Sequence, residues 1–412
     1  MKKLVFRNGI YTALRPLYYL CKLFGLASYS YVADSRNKGV KTDYGYLNYM
    51  FTVMWLIVYT VGFPVQILEI YGFNMDSQTL FFTYFLCIIS SYTSSLVVVV
   101  WVSIFKRRKF LEIIENISEV DNKIRYTAQE EKNMNRTVMF NIIAETILLT
   151  VIQCSLIIYI TYQFRSEGYK FIILILIGIN ATYICNILFL FQFLNLVFMV
   201  KQRYSYLNKC LTEWISGTVS RSICWNKENK RCNISDRVVD HVNITTVFVS
   251  SAANIEGTLK QADIHLFRQI HSELYDVILL INDNYGIPIL ASISWILTTV
   301  LCCLYETLIK FNEWGITDMV YAITCSALVF KVTLFCHTAT KEARSSSILV
   351  QKLLLLGNCR NECVEELKMF SLQMQVMTNE FTACGFFSLN LRLFTTLVSV
   401  IASYIVIMIQ NK

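Results

Sequence analysis

Apolar and polar positions in this chain alternate in long blocks, not in short periods. Seven apolar runs bounded by polar clusters lie near 46–71, 79–105, 137–162, 171–200, 286–309, 319–340 and 389–410. Each matches the roughly 20 helical residues needed to cross a hydrocarbon core of about 30 Å. Strands of a membrane barrel would alternate over about 10 residues, whereas a run such as 171–179 is apolar on every side. The pattern predicts an all-α, polytopic membrane protein with seven transmembrane helices. Between the runs, Phe267, Ile270, Leu274, Val277 and Ile281 form a short heptad seam, and Val364, Leu367, Phe370, Met374, Met377 and Phe381 form a second stripe. Both read as helices that extend the last segments beyond the membrane and pack on each other, either as a core within the chain or as a contact between subunits. Residues 1–30 hold apolar stretches broken by Arg7, Arg15 and Lys22 without a cleavage-site pattern, which predicts an amphipathic interfacial helix. Residues 216–250, with Cys224 and Cys232, are more polar and aperiodic and read as a partly disordered insert.

Composition agrees with this reading. The 412 residues are 55% hydrophobic and only 16% charged, with a mean hydropathy of +0.47, against about 25% charged in soluble domains. The net charge of +8 has no nucleic-acid motif beside it, so no nucleic-acid partner is expected; it marks topology instead. Lys and Arg concentrate in 1–45, 106–136, 201–285 and 341–388, and the block Lys106, Arg107, Arg108 and Lys109 abuts the second run. This places the N-terminus in the cytosol and the C-terminus outside. The sequons at Asn116, Asn135, Asn233 and Asn243 then all face the cytosol and should carry no glycan. The 14 cysteines avoid the external loops and should be mostly free thiols.

Motifs for catalysis are missing: there is no GxSxG, HExxH, Walker A, CxxC pair or glycine-rich phosphate loop. His241, His265, His271 and His337 have no ligand spacing with carboxylates, and Cys359 and Cys363 supply only two thiols, so neither a metal nor a cofactor is expected and the chain does not read as an enzyme. Charges inside the apolar runs are the exception to the bland pattern, because one at the bilayer centre costs about 2.5–3.5 kcal/mol. Glu306 and Arg392 lie about a turn from a membrane surface and are expected to snorkel. Glu145 and Lys331 lie deeper, and each should face a polar cavity or a partner.

The C-terminus reads Phe381-Thr-Ala-Cys-Gly-Phe-Phe-Ser-Leu-Asn390, then the last run, ending Ser403-Tyr404-Ile-Val-Ile-Met-Ile-Gln410-Asn411. This resembles the insect gustatory receptor signature of Thr-Tyr, five hydrophobic residues and Gln-Phe after an aromatic-rich turn. Tyr404 and Gln410 agree with it, Ser403 replaces Thr, and Asn411 replaces Phe. The resemblance implies a ligand-gated, poorly selective cation channel for tastants in the plasma membrane of sensory neurons. It also implies a homotetramer, or a heteromer with related receptors, with the last helix of each subunit around a pore. In that setting Thr396, Val400, Ser403, Ile407 and Gln410 share one stripe, with Gln410 as a polar mouth above an Ile407 constriction. Asn411 would alter the outermost gate contact.

The implied domains are a cytosolic segment 1–45, a ligand-binding bundle 46–340 with a cytosolic insert near 201–285, anchor helices 341–388 and a pore helix 389–412. A tastant pocket in the outer halves of the helices needs aromatic walls and a few hydrogen-bonding groups. By depth, Tyr92, Gln153, Tyr159, Tyr162, Asn180, Tyr183, Tyr305 and Tyr321 qualify. A heptahelical G-protein-coupled receptor is the main rival, but no Asp-Arg-Tyr follows the third run and no Asn-Pro-x-x-Tyr ends the seventh. A transporter would favour internal repeats and broken helices, and only three prolines occur.

Overall fold

The computed structural model describes residues 8–27, 30–34, 39–43, 46–72, 78–106, 108–124, 126–164, 172–215, 261–309, 315–355 and 361–410. The chain begins with α1 (Asn8–Leu23) and a two-stranded antiparallel hairpin, β1 (Ser30–Asp34) with β2 (Gly39–Asp43). Four helices precede the long central ones: α2 (Tyr46–Gly72), α3 (Gln78–Val100), α4 (Lys109–Lys123) and α5 (Ala128–Phe164). Then come α6 (Ile172–Ile215), α7 (Gln261–Ile309), α8 (Gly315–Leu355) and α9 (Asn361–Val376). A small hairpin, β3 (Thr382–Ala383) with β4 (Phe387–Ser388), leads into α10 (Leu391–Gln410).

All seven apolar runs are helices. Five described stretches are long and apolar enough to cross a membrane: Phe81–Phe105, Gln129–Ile158, Asn180–Ile215, Gln261–Leu308 and Thr317–Leu355. Shorter apolar stretches, Tyr49–Pro64 and Leu391–Ile407, lie in α2 and α10. Exposed apolar side chains on α5, among them Phe140, Ile147, Leu148, Val151 and Ile158, belong in lipid, where an outward apolar face carries no cost.

The helices outrun the apolar blocks, and each overrun has a local cause. The third run starts nine residues earlier than its hydropathy suggests, at Ala128 and not 137. Thr127 and Glu130 form a capping box there: the Glu130 amide donates to Thr127 Oγ1 at 3.3 Å, and the Thr127 amide donates to Glu130 Oε2 at 3.1 Å. The run near 171–200 continues to Ile215, 286–309 begins at Gln261, and 319–340 continues to Leu355. These extensions build a second, membrane-distal bundle. In it the heptad seam of α7, Phe267 through Ile281, is fully buried within the single chain, and Leu367, Phe370 and Met374 of α9 are buried with it. The seam is therefore intrachain core. Its partners α4, α8 and α9 all pack on α7. The aperiodic insert at 216–250 lies outside the described residues.

From Asn180 onward α6 is buried nearly all round, and the helix packs most extensively on α8. Its membrane part is tied to α3 by hydroxyl and amide groups. Ser91 Oγ and Thr182 Oγ1 are 2.9 Å apart, Ser94 donates to Asn186 Oδ1 at 2.7 Å, and the Asn186 amide donates to Ser95 Oγ at 2.8 Å. Such pairs satisfy polar groups that lipid cannot. The first helix is amphipathic as expected, but its apolar face of Ile10, Ala13, Leu14, Leu17 and Cys21 is buried, with α1 packed on α5. It therefore docks on protein as well as lying along the bundle.

His271 sits in the membrane-distal bundle with its ring edge-on to Tyr204 (5.3 Å) and Phe370 (5.6 Å). Burial lowers its pKa from 6.5 to about 4, outweighing a backbone contact with Ala343. The unfolded chain therefore takes up this proton first. Stability is expected to be flat above about pH 6.5 and to fall between pH 6.5 and 4, since the unfolded state binds more protons there. Thermal unfolding of detergent-solubilised protein across that range checks it: His271→Asn should flatten the slope, and an equally steep variant would contradict the assignment.

Candidate functional site

The last helix is set by its own entry. Asn390 Oδ1 accepts the amides of Arg392 (3.0 Å) and Leu393 (3.2 Å), an N-cap that starts α10 at Leu391. Before it, the motif from Phe381 to Asn390 folds as the β3–β4 hairpin, whose tip holds Cys384 and Gly385 at positive φ of 53° and 75°. Gly286 of α7 lies against this tip: a Cβ there would stand 2.8 Å from the Cys384 backbone nitrogen. Asn282, one turn earlier, donates to the Glu380 carbonyl at 2.8 Å and accepts the Thr382 amide at 3.0 Å. Glu380 accepts from Ser388 Oγ at 2.6 Å and pairs with Arg344 of α8. The hairpin thus joins α7 and α8 to the start of α10.

α10 packs chiefly on α7 and α8 through Leu393, Phe394, Leu397 and Ile401. A narrow apolar crevice separates it from Ile293, Leu297 and Val300 of α7 and Val329 of α8. The opposite face is uncovered in the single chain. Thr396, Ser403, Tyr404, Ile407 and Gln410 are exposed on it, whereas Val400 is half-buried. Ser399, which the sequence reading passed over, is exposed in its place, between Thr396 and Ser403. Ser399 donates to the Thr395 carbonyl at 3.0 Å and Ser403 to the Ser399 carbonyl at 2.9 Å. Asn411 lies outside the described residues.

The intramembrane charges separate into three cases. Lys331 of α8 pairs with Glu145 of α5 and lies over the rings of Phe191 (5.6 Å) and Phe335 (5.7 Å). Each is the other's partner, a pairing that sequence distance hides. Lys331→Met strands a buried carboxylate and is expected to lower surface expression several-fold, with Glu145→Leu added in the same chain restoring it; Western blotting of surface-labelled protein reads both. Arg392 is exposed in the first turn of α10. Glu306 departs from the snorkelling expectation: it is 5% exposed, held inside by hydrogen-bonding contact with Tyr84 of α3 and Asp318 of α8. Three helix ends converge there, so an inward partner is nearer than the membrane surface.

The pocket candidates do not form one set. Tyr183 of α6 and Tyr321 of α8 meet at 4.9 Å, and Tyr183 stands edge-on to Trp295 of α7 at 5.1 Å. Trp295 was missed from sequence, where an indole mid-helix looks like core. Tyr92 instead meets Phe63 of α2 at 5.6 Å. Gln153 and Asn180 are buried on α5 and α6. Tyr305 is buried on α7 and, among the described residues, joins none of these ring contacts. The side chains of Tyr159 and Tyr162 lie outside the described residues.

Five helices long and apolar enough to cross a membrane, two shorter apolar ones, buried polar ties and an apolar outer face define a helical, multi-pass membrane protein. Residues 14–412 match the family 7tm Chemosensory receptor, and the chain belongs to that family. It is 21% identical over 431 residues to a protein described as gustatory receptor 28b of Drosophila melanogaster, covering 99% of this chain and 87% of that one. Its fold is similar to that of the insect olfactory receptor OR5 from Machilis hrabei, with a TM-score of 0.72 at 10% identity, over 98% of this chain and 100% of that chain. The same receptor in complex with eugenol gives a TM-score of 0.69 at 11% identity, over 98% of this chain and 99% of that chain.

Proposed function

We propose that this chemosensory receptor is a tastant-gated, poorly selective cation channel, with α10 of each subunit lining a central pore and no enzymatic activity. The observation that carries this reading is the face of α10. A helix of the membrane domain leaves Thr396, Ser399, Ser403, Ile407 and Gln410 uncovered on one side, and a row of hydroxyl and amide groups suits water better than lipid. A tetramer, of this chain alone or with related receptors, would cover that side. In this arrangement α2–α8 form the peripheral bundle that receives a small molecule in its outer half, and the membrane-distal helices anchor the subunits. The exposed Met369, Leu372 and Val376 of α9 support such a contact.

The relative named as a gustatory receptor favours a tastant as ligand, and the eugenol complex of the olfactory receptor favours a small organic molecule. The plasma membrane of sensory neurons is the corresponding site of action. Ligand binding opens the pore only if the open state binds more tightly, and the β3–β4 hairpin is the link through which α7 and α8 move α10.

Cells expressing the chain alone, under voltage clamp with a tastant panel and G-protein signalling blocked, test the reading. Ligand-evoked cation current is the expected result, and Ile407→Ala should raise the resting current several-fold by widening the constriction. Responses that vanish with G-protein block would favour the heptahelical-receptor alternative.

A further inference from the structure

The outer ends of α3, α6, α7 and α8 hold the most chemically distinctive cluster in the bundle. Glu306 is buried in hydrogen-bonding contact with Asp318 and Tyr84. Two carboxyl groups in such contact hold a proton or a cation between them, because two bare carboxylates repel. Among the described residues Glu306 forms no ion pair with Lys or Arg, in contrast to Glu145, which has Lys331. Asp318 lies in the first turn of α8 and is half-buried, so the pair reaches toward the outer surface.

Below it runs a row of polar side chains on one face of α7. Ser292, Trp295, Thr299, Cys302 and Glu306 follow one another at steps of three and four residues, the repeat of a single helical stripe. Ser292 Oγ, Trp295 Nε1 and Thr299 Oγ1 are buried, at 0%, 1% and 0% exposure for their residues, and none has a hydrogen-bond partner among the described residues. An unpaired buried donor is costly, about 1–3 kcal/mol, and Trp295 can only donate. The row is contiguous with the acid pair through rings. Trp295 meets Tyr183, Tyr183 meets Tyr321, and Tyr321 lies close enough to Asp318 to feel its charge.

We infer that this cluster is a recognition site for a protonated organic amine: Glu306 and Asp318 take the ammonium, Tyr84, Tyr183 and Tyr321 flank it, and Trp295 donates to an acceptor on the ligand body. The inference deepens the reading of this chain as a small-molecule receptor and rests on it. A cation at the acid pair replaces the proton between the carboxyls and gains from the aromatic faces beside it. The stripe from Trp295 to Glu306 spans about 16 Å at 1.5 Å per residue, so an elongated aromatic amine with an ester or ether oxygen fits better than a compact one. Neutral sugars and anions have no counterpart for the acid pair.

The test compares procaine, a 4-aminobenzoate ester with a protonated tertiary amine, with butyl 4-aminobenzoate, an ester of the same acid whose alkyl chain carries no charge. The full chain in detergent is melted against increasing concentrations of each. Procaine is expected to raise the unfolding midpoint at concentrations at least about tenfold lower than the neutral ester does. Glu306→Gln and, independently, Asp318→Asn should abolish that advantage while leaving stabilisation by the neutral ester in place; the ligand-free midpoint of each variant reports whether it folds. Equal stabilisation by both probes in the native chain overturns the inference, as does no stabilisation by procaine or an amine advantage that survives both substitutions. This readout needs no current, so a failed channel experiment leaves it standing. Conversely, a chain that conducts with a neutral tastant yet ignores procaine would sink the amine site alone.

Discussion

Arg203→Met should cost about 3–5 kcal/mol and remove most folded receptor from the cell, because it takes the cationic partner from the buried Asp121 carboxylate in the membrane-distal bundle. The guanidinium of Arg203 on α6 grips Asp121 of α4 through two parallel bonds, Nε to Oδ1 at 3.0 Å and a terminal nitrogen to Oδ2 at 2.6 Å. Its third donor is used at 3.1 Å by the Met199 carbonyl. Arg203 and Asp121 are 2% and 7% exposed, so solvent does not screen the pair. The Asp121 charge beside it helps hold the guanidinium protonated: its pKa is raised, although burial alone would lower it. The double variant Arg203→Met with Asp121→Leu should recover a large part of the loss, as buried ion pairs replaced by apolar side chains of similar volume often do. Size-exclusion profiles of the tagged receptor measure both. A single variant as monodisperse and abundant as the native chain would show that the pair contributes little.

Gly286→Val should abolish ligand-evoked current while leaving the receptor folded and able to bind. The Cβ added at Gly286 would meet the backbone of Cys384 at 2.8 Å, and backbone cannot swing away as a long side chain can. The β3–β4 hairpin must then shift from α7, loosening the Asn282 bonds that hold Glu380 and Thr382. With that link displaced, motion in the peripheral bundle no longer reaches α10. Whole-cell current beside surface labelling separates this outcome from simple misfolding. Gly286→Ala offers a milder version, with current reduced several-fold. Native currents from the Val variant would mean that the hairpin follows α10 and does not drive it.

What the sequence made legible, and what it did not, follows the range of the forces involved. Helix positions in the membrane depend on local apolar length, which is written contiguously, so all seven runs became helices. The heptad seam from Phe267 to Ile281 was equally plain, since its period is local. Helix ends were not, because a box such as Thr127 with Glu130 overrides hydropathy by hydrogen bonds worth about 1 kcal/mol. Pairings were not legible at all. Glu145 and Lys331 were singled out for their cost, but only the packing of α5 on α6, which itself packs on α8, brings them together as mutual partners. Glu306 misled for the same reason: its neighbours Tyr84 and Asp318 come from other helices. On α10 the helical stripe was close to the observed exposed face, but Val400 and Ser399 exchanged places because the tilt against α7 and α8 is a tertiary property.

The hydroxyls on α10 carry one more implication. Thr395 and Thr396 donate to the Arg392 carbonyl, Ser399 to that of Thr395, and Ser403 to that of Ser399. Each proton is spent on the helix itself, so the outward side of each oxygen offers lone pairs only. A lumen lined this way presents oxygens as hydration shells do. With α10 lining the proposed pore, such a lumen is expected to favour Na⁺ and K⁺ over Cl⁻ without a ring of acidic side chains, and to distinguish poorly among the cations themselves. Reversal potentials that move with external sodium and not with chloride are the corresponding electrical signature.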